Sequence, residues 1–103
     1  MRMMIRYSFP VDAGNAAIRN GKLETVFRQL MDDLKPEVAY FHAVDGDRGG
    51  TFVVNMQDSS KIADTAERLF FGLNAKIELV PVMALDDLQK GLSGVQNTIQ
   101  RYG

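Results

Sequence analysis

The feature that most constrains the fold is the order in which the hydrophobic period changes along the chain. Over residues 1–9 every odd position is apolar, while three of the four even positions are polar. This alternation predicts a half-buried strand, because successive side chains of a strand point to opposite faces. Pro10 ends the strand, since proline cannot donate a hydrogen bond to a sheet ladder.

The period then changes to that of a helix. One apolar stripe at helical spacing consists of Leu23, Val26, Phe27, Leu30 and Leu34. Asn20-Gly21 is a weak point, so the helix either starts at Lys22 or is broken there. Lys35-Pro36 ends it, because the residue before a proline avoids the helical region.

The middle of the chain predicts a hairpin, a helix and a fourth strand. Residues 37–44 and 51–57 are predicted strands, and the turn-forming residues 45–50 join them. A second helix, which connects the third and fourth predicted strands, starts near Asp58. Its apolar stripe consists of Ile62, Ala66, Leu69, Phe70 and Leu73. Residues 75–83 are the fourth predicted strand, and Pro81 marks it as an edge or bulged strand.

The last segment has the pattern of an amphipathic helix. Its apolar residues alternate spacings of three and four, in the series Leu85, Leu88, Leu92, Val95, Ile99 and Tyr102. Asp86 and Asp87 at its start and Arg101 near its end suit the helix dipole. Gly91 and Gly94 weaken the helix by roughly 1 kcal/mol each, so it needs a partner surface.

The predicted order is therefore β-α-β-β-α-β-α in a single domain spanning residues 1–103. Residues 1–84 match the split βαβ arrangement of a ferredoxin-like α+β domain, an antiparallel sheet with two helices on one face. Residues 85–103 add a C-terminal helix. The residues expected to face the helices are Met1, Met3, Ile5, Tyr7, Phe9, Phe52, Val54, Met56, Ile77, Leu79 and Met83.

The opposite sheet face is predicted to mix polar and apolar side chains. Tyr40 and His42 are assigned to it in preference to Phe41, because they are the more polar set of their strand. An exposed apolar patch usually marks an interface or a ligand groove. The other residues expected on this face are Arg2, Met4, Arg6, Ser8, Thr51, Val53, Asn55, Gln57, Lys76, Glu78, Val80 and Val82.

With such a face, residues 1–84 resemble the dimeric α+β barrel superfamily, which includes cofactor-free monooxygenases and muconolactone-isomerase-like proteins. The resemblance implies a homodimer whose two sheets enclose a polar-lined cavity. More locally, the chain is similar to a group of short uncharacterised bacterial proteins. This similarity rests on Asn15-Ala16-Ala17-Ile18, Lys35-Pro36-Glu37, Tyr40-Phe41, Asn74-Ala75-Lys76 and Pro81-Val82-Met83.

Composition excludes several kinds of site. The chain has no Cys and one His, which excludes disulfides, zinc–thiolate sites and a two-histidine metal site within one copy. Twelve basic and thirteen acidic side chains give a net charge of −1, without the basic footprint that nucleic acid requires. No segment has the length of a membrane span or the pattern of a signal peptide. We therefore expect no metal, no cofactor, no nucleic-acid or membrane partner, and a cytoplasmic location.

The candidate site residues are the polar ones of the open sheet face. His42 is the only ordinary acid or base near neutral pH, and with Tyr40 it is the predicted catalytic pair. A guanidinium can grip a carboxylate or phosphate through its planar fork. The residues predicted to bind a small anionic molecule are accordingly Arg2, Arg6, Asn55 and Glu78. The same arginines could instead pair with Glu78 or with an acid of a second copy.

Two functions follow from this pattern. In the first, a homodimer binds a small molecule in the cavity between its sheets, as a binder or a cofactor-free enzyme. In the second, the chain is a non-catalytic dimerisation or regulatory module, and the same polar residues only satisfy one another.

Overall fold

Four strands form one antiparallel sheet in the computed structural model, which describes residues 1–103. The strands are β1 (Arg2–Phe9), β2 (Val38–Val44), β3 (Asp47–Asn55) and β4 (Lys76–Pro81). Their order across the sheet is β2-β3-β1-β4, so each of the two strand–helix–strand connections passes over one intervening strand. The predicted α+β class with an antiparallel sheet is confirmed, and so is the edge position of the strand that contains Pro81.

Five helices accompany the sheet: α1 (Val11–Arg19), α2 (Lys22–Leu34), α3 (Ser60–Leu73), α4 (Leu85–Leu92) and α5 (Val95–Tyr102). The predicted break at Asn20-Gly21 separates α1 from α2, where Gly21 adopts a φ of 76° that favours glycine. The prediction of one C-terminal helix over residues 85–103 is corrected to two helices. Ser93 and Gly94 separate them, since Gly94 leaves the helical region and the Ser93 hydroxyl donates to the Lys90 carbonyl at 2.6 Å.

The core lies between the sheet and helices α2 and α3, and α1 approaches it only where Gly14 lies against Phe9. The odd residues of β1 from Met3 to Phe9 are buried in it, together with Phe52, Val54 and Met56 of the third strand and the segment after it. Tyr7 stacks on Phe52 with ring centroids 4.8 Å apart. The alternation at the start of the chain therefore identifies the buried face correctly.

Two residues of the predicted core are exposed. Met1 precedes the strand ladder, and its ammonium group donates to Asn55 Oδ1 at 3.2 Å. Met83 lies beyond Pro81, the last residue of β4, and is 69% exposed. Both residues lie beyond the ends of the paired strands, where the alternation no longer determines burial.

The β2–β3 turn is shorter than the predicted segment 45–50. Only Asp45 and Gly46 have positive φ, at 51° and 85°, which is the pattern of a two-residue hairpin turn. Gly49 and Gly50 belong to β3 instead. A Cβ atom on Gly50 would lie 2.3 Å from the Tyr40 carbonyl oxygen and 2.7 Å from Tyr7 Oη, so glycine is required there by close approach.

Helices α4 and α5 form an arm (residues 85–102) that extends from the end of the sheet. None of its residues is buried. The molecule measures 61 × 27 × 20 Å, and its radius of gyration of 17.4 Å exceeds the roughly 13 Å of a compact chain of this length. None of the five helices combines the length and hydropathy needed to cross a bilayer.

Candidate functional site

The sheet face without helices, called the open face below, carries an apolar row across all four strands. Met4 of β1 pairs with Val53 of β3 on one side and with Val80 of β4 on the other. Val53 in turn pairs with Val38 of β2. With strands about 4.8 Å apart, these four side chains form a band roughly 14 Å wide. Each of them is half-buried or exposed, so the band faces solvent in a single copy.

A polar row lies directly beside the apolar row, two residues further along β1. Arg6 pairs with Thr51 on one side and Glu78 on the other, and Thr51 pairs with Tyr40. His42 follows Tyr40 by two residues and therefore shares its face. The structure thus places Arg6, Tyr40, His42 and Glu78 on the same side of the apolar row.

Arg2 and Asn55 lie on the other side of the apolar row. Arg2 Nε donates to both carboxylate oxygens of Glu37, at 3.0 and 3.3 Å. This hydrogen bond, reinforced by the charge of Glu37, raises the pKa of Arg2. Asn55 accepts a hydrogen bond from the Met1 ammonium group. The six predicted site residues therefore share one face but form two groups.

The two arginines differ in how their guanidinium groups are used. Arg2 is hydrogen-bonded to its carboxylate partner. Arg6 approaches Glu78 at 3.5 Å between Nη1 and Oε2, an ion-pair distance without a hydrogen bond, and its side chain is partly exposed. Arg6 consequently keeps its donors available to a ligand, whereas Arg2 is occupied by Glu37.

His42 makes two hydrogen bonds that define its protonation pattern. Nδ1 lies 3.0 Å from the carbonyl oxygen of Ala43, and Nε2 lies 2.8 Å from the Thr51 hydroxyl oxygen. A carbonyl oxygen only accepts, so we assign the proton to Nδ1; in the neutral ring Nε2 then accepts from the Thr51 hydroxyl. The arrangement gives His42 a free-base nitrogen directed at a hydroxyl beside Arg6.

Tyr40 is highly accessible, with 66% of its surface exposed. Its phenol extends from the edge strand β2, two residues from His42 and opposite Thr51. A second copy packed on the open face would therefore cover this ring together with the apolar row.

A groove on the helix side of the sheet was not predicted from the sequence. It has a volume of about 440 Å³ and lies between α1, α2 and the β2–β3 hairpin. Phe41, which is 62% exposed, packs edge-on against Phe27 at 5.3 Å between ring centroids. At the rim Arg48 Nη2 donates to Asn15 Oδ1 at 2.9 Å. An available signal was Phe41 itself, an apolar residue on the helix side of an edge strand.

The acidic residues and His42 do not assemble into a metal site. Nowhere in the structure do three or more His, Cys, Asp or Glu side chains form a group that could hold a metal ion. The carboxylates of the open face, Glu37 and Glu78, each pair with an arginine instead.

Comparison with known proteins adds little to this description. No protein-family model matches the chain, and no curated protein sequence is similar to it. Among solved structures, the chain is similar to the de novo designed protein Ferredog-Diesel, with 14% sequence identity and a TM-score of 0.37. The match covers 78% of this chain and 82% of the designed one. Fold and site define a small α+β protein with a four-stranded antiparallel sheet, one face of which is uncovered.

Proposed function

We propose that two copies of the chain pair their open faces and enclose a site for a small anionic molecule. The observation that carries the proposal is the apolar row across four strands, exposed directly beside Arg6, which forms an ion pair with Glu78 but no side-chain hydrogen bond within the chain. Burial of the row against a second copy removes apolar surface from water, which favours association. The polar row beside it would then line the space between the two sheets.

We further propose that the fold is ferredoxin-like and that the dimer is of the α+β barrel type. The support is the pair of connections that each pass over one strand, with helices α2 and α3 packed on the same face of the sheet. In that arrangement both open faces point toward the dimer interior.

In the proposed site each polar side chain has a distinct role. Arg6 binds a carboxylate or phosphate of the ligand, and Glu78 orients the guanidinium. His42 Nε2 takes the Thr51 hydroxyl proton while that hydroxyl takes a proton from a second acidic group of the ligand, and Tyr40 donates a hydrogen bond from the edge strand. Arg2 and Asn55, bound to Glu37 and the chain terminus, close one end of the cavity. This chemistry needs no cofactor.

The proposal is tested by thermal-shift measurements with small carboxylates and inorganic phosphate on the wild type and two variants. A ligand at a hundredfold its Kd stabilises the protein by about 2.7 kcal/mol. Arg6→Gln should abolish this shift. The matched control Arg28→Gln, on the exposed side of α2, should retain it. No shift for any anion, or equal shifts in both variants, contradicts the anion site.

The pairing of the open faces is tested separately by sedimentation. The wild type should associate at micromolar concentration, and Val53→Asp should lower the average mass of the species in solution because it places a charge in the apolar row. If the open face contributes nothing to association, the wild type and Val53→Asp will show the same mass distribution. That result would contradict the pairing of the open faces.

A second candidate function, a non-catalytic interaction module, is favoured by a different observation. Arg2 pairs with Glu37, Arg6 with Glu78 and His42 with Thr51, so the polar groups of the open face also satisfy one another. This function predicts dimerisation through the open face with no stabilisation by any small anion.

A further inference from the structure

The arm carries an apolar stripe that nothing in the chain covers. The stripe residues, all of them at least 38% exposed, are Leu85, Leu88, Leu92, Val95, Ile99 and Tyr102. They succeed one another at spacings of three and four along both helices. A stripe of this kind normally faces a partner surface.

The two arm helices are also too short to be stable by themselves. Each spans eight residues, whereas isolated helices shorter than about 12 residues are marginal in water. Gly91 lies inside α4 and Gly94 lies between the helices, and both residues lower helix stability further. The arm therefore requires stabilisation from outside its own chain.

The spacing and the charges point to another arm as the partner. An average spacing of 3.5 residues is that of a coiled-coil seam, with Leu85, Leu92 and Ile99 at one seam position and the other three residues at the second. Gln89, Gln96 and Thr98 flank the seam and are uncharged. The charged residues of the arm lie on the opposite side, and they are Asp86, Asp87, Lys90 and Arg101.

We propose that the arms of two copies pair in antiparallel orientation about a two-fold axis near Ser93 and Gly94. The stripe is self-complementary about this point: Leu85 meets Tyr102 of the second copy, Leu88 meets Ile99, and Leu92 meets Val95. Each pair joins the two different seam positions, as antiparallel coiled coils require.

The charge distribution selects the antiparallel orientation. Asp86 and Asp87 lie at the start of the arm, and Arg101 lies at its end. These side chains lie outside the seam and do not touch across it, but an antiparallel pair brings the carboxylate end of one arm to the guanidinium end of the other. A parallel pair would place like charges at the same end.

The apolar surface of the stripes is that of a weak contact. Taking roughly 60–120 Å² of apolar area for each fully exposed side chain, the stripe offers on the order of 200–400 Å² per copy. Two stripes together supply about 400–800 Å² of apolar area, which is below the roughly 1,200 Å² of standard specific interfaces and is the size of a weak contact. The arm contact is independent of the open-face pairing proposed above and uses none of its residues.

Spin-label distances test the orientation directly, since the chain has no Cys and each variant carries one label. Ser93→Cys and Gln100→Cys occupy equivalent positions of the heptad, one near the proposed axis and one away from it. With a rise of 1.5 Å per residue, antiparallel pairing separates the two labels by about 1.5 Å along the axis at position 93 and about 20 Å at position 100. The distance between labels should thus be clearly longer at position 100.

Equal distances at the two positions would show a parallel pair, and the absence of a defined distance at both would show that the arms do not pair. Either result overturns the proposal. Adding Leu92→Lys to Gln100→Cys should remove the defined distance, while Asn97→Lys on the outer side should preserve it. Because no arm residue belongs to the core, neither lysine variant should unfold the sheet domain. Val53→Asp should leave the label distances unchanged, which separates this proposal from the open-face dimer.

Discussion

The two faces of the sheet are built from the same strands but have opposite properties. Along β1, Ile5 and Tyr7 are almost completely buried beneath the helices, whereas their neighbours Met4 and Arg6 remain half-buried on the open face. On the helix side the polar hydroxyl of Tyr7 lacks a partner, while on the open side nearly every charged group is paired.

This difference in burial distinguishes residues that stabilise a single copy from apolar residues that remain available to contact another surface. The buried core lies on the helix side and is formed within one chain, where it supplies most of the hydrophobic stabilisation. The open face has apolar residues in register across four strands, an arrangement that contributes little to a single copy. The same sheet thus has a stability face and an interaction face.

The largest expected effect is a difference in the free energy of unfolding between variants of two adjacent residues, Phe52 on the helix side and Val53 on the open face. Phe52→Ala removes a ring that is 0% exposed and stacked on Tyr7, so it should lower the free energy of unfolding by about 3–5 kcal/mol. Val53→Ala, its neighbour on the open face, should cost less than about 1 kcal/mol in dilute solution. Urea denaturation of both variants measures the difference.

Protein concentration makes this pair of variants more informative. If open faces associate, the cost of Val53→Ala should increase as the protein concentration rises, whereas the cost of Phe52→Ala should stay constant. Similar costs for the two variants in dilute solution would remove the distinction between the faces.

A smaller effect is expected at Gly50 of β3, where atoms of Tyr40 and Tyr7 leave no room for a Cβ atom. Gly50→Ala brings a Cβ atom against the Tyr40 carbonyl and the Tyr7 hydroxyl, so we expect a loss of about 1–3 kcal/mol in thermal or urea unfolding. Gly91→Ala is the matched control, because no atom lies near its added Cβ and alanine favours the helix. If Gly50→Ala were as stable as wild type, β2 and β3 would be able to move apart at little cost in free energy.

The sequence was sufficient for the features that depend on local periodicity. The alternation around Ile5 and the stripe of α2 identified the buried face, and Pro81 identified an edge strand. The sequence places Gly49 and Gly50 in a turn, because glycine readily adopts positive φ. Their actual role depends on Tyr7, more than forty positions away, and the linear pattern does not contain that contact.

In the candidate site, too, some features follow from the local sequence pattern and others depend on contacts between distant residues. The shared face of Arg6, His42 and Glu78 follows from strand alternation once the strands are recognised. The pairing of Arg2 with Glu37 does not, because Glu37 lies just before β2 and meets Arg2 only through the register of the sheet. Likewise the groove beside Phe41 forms where Ile18, Phe27 and the β2–β3 hairpin come together in space, which periodicity does not specify.

The smallest effect concerns the buried hydroxyl of Tyr7. It has no hydrogen-bond partner, so Tyr7→Phe removes an unsatisfied donor while keeping the ring stacked on Phe52. We expect the variant to be as stable as wild type or up to about 1 kcal/mol more stable near pH 7. Tyr40→Phe, on the exposed side, serves as the control for loss of a phenol.

The stability difference between wild type and Tyr7→Phe should also change with pH, in a direction set by the pKa of Tyr7. Burial raises the pKa of Tyr7, because the charged phenolate is poorly solvated in the core. The folded state therefore binds the phenolic proton more tightly than the unfolded state. This contribution to stability is complete below the ordinary tyrosine pKa of about 10 and is lost progressively at higher pH. Wild type should then lose up to about 1.4 kcal/mol per pH unit relative to Tyr7→Phe, while Tyr40→Phe follows wild type. A constant difference between pH 8 and pH 11 in urea denaturation would mean that the Tyr7 hydroxyl reaches water, so that the helix-covered face is less completely sealed than its burial indicates.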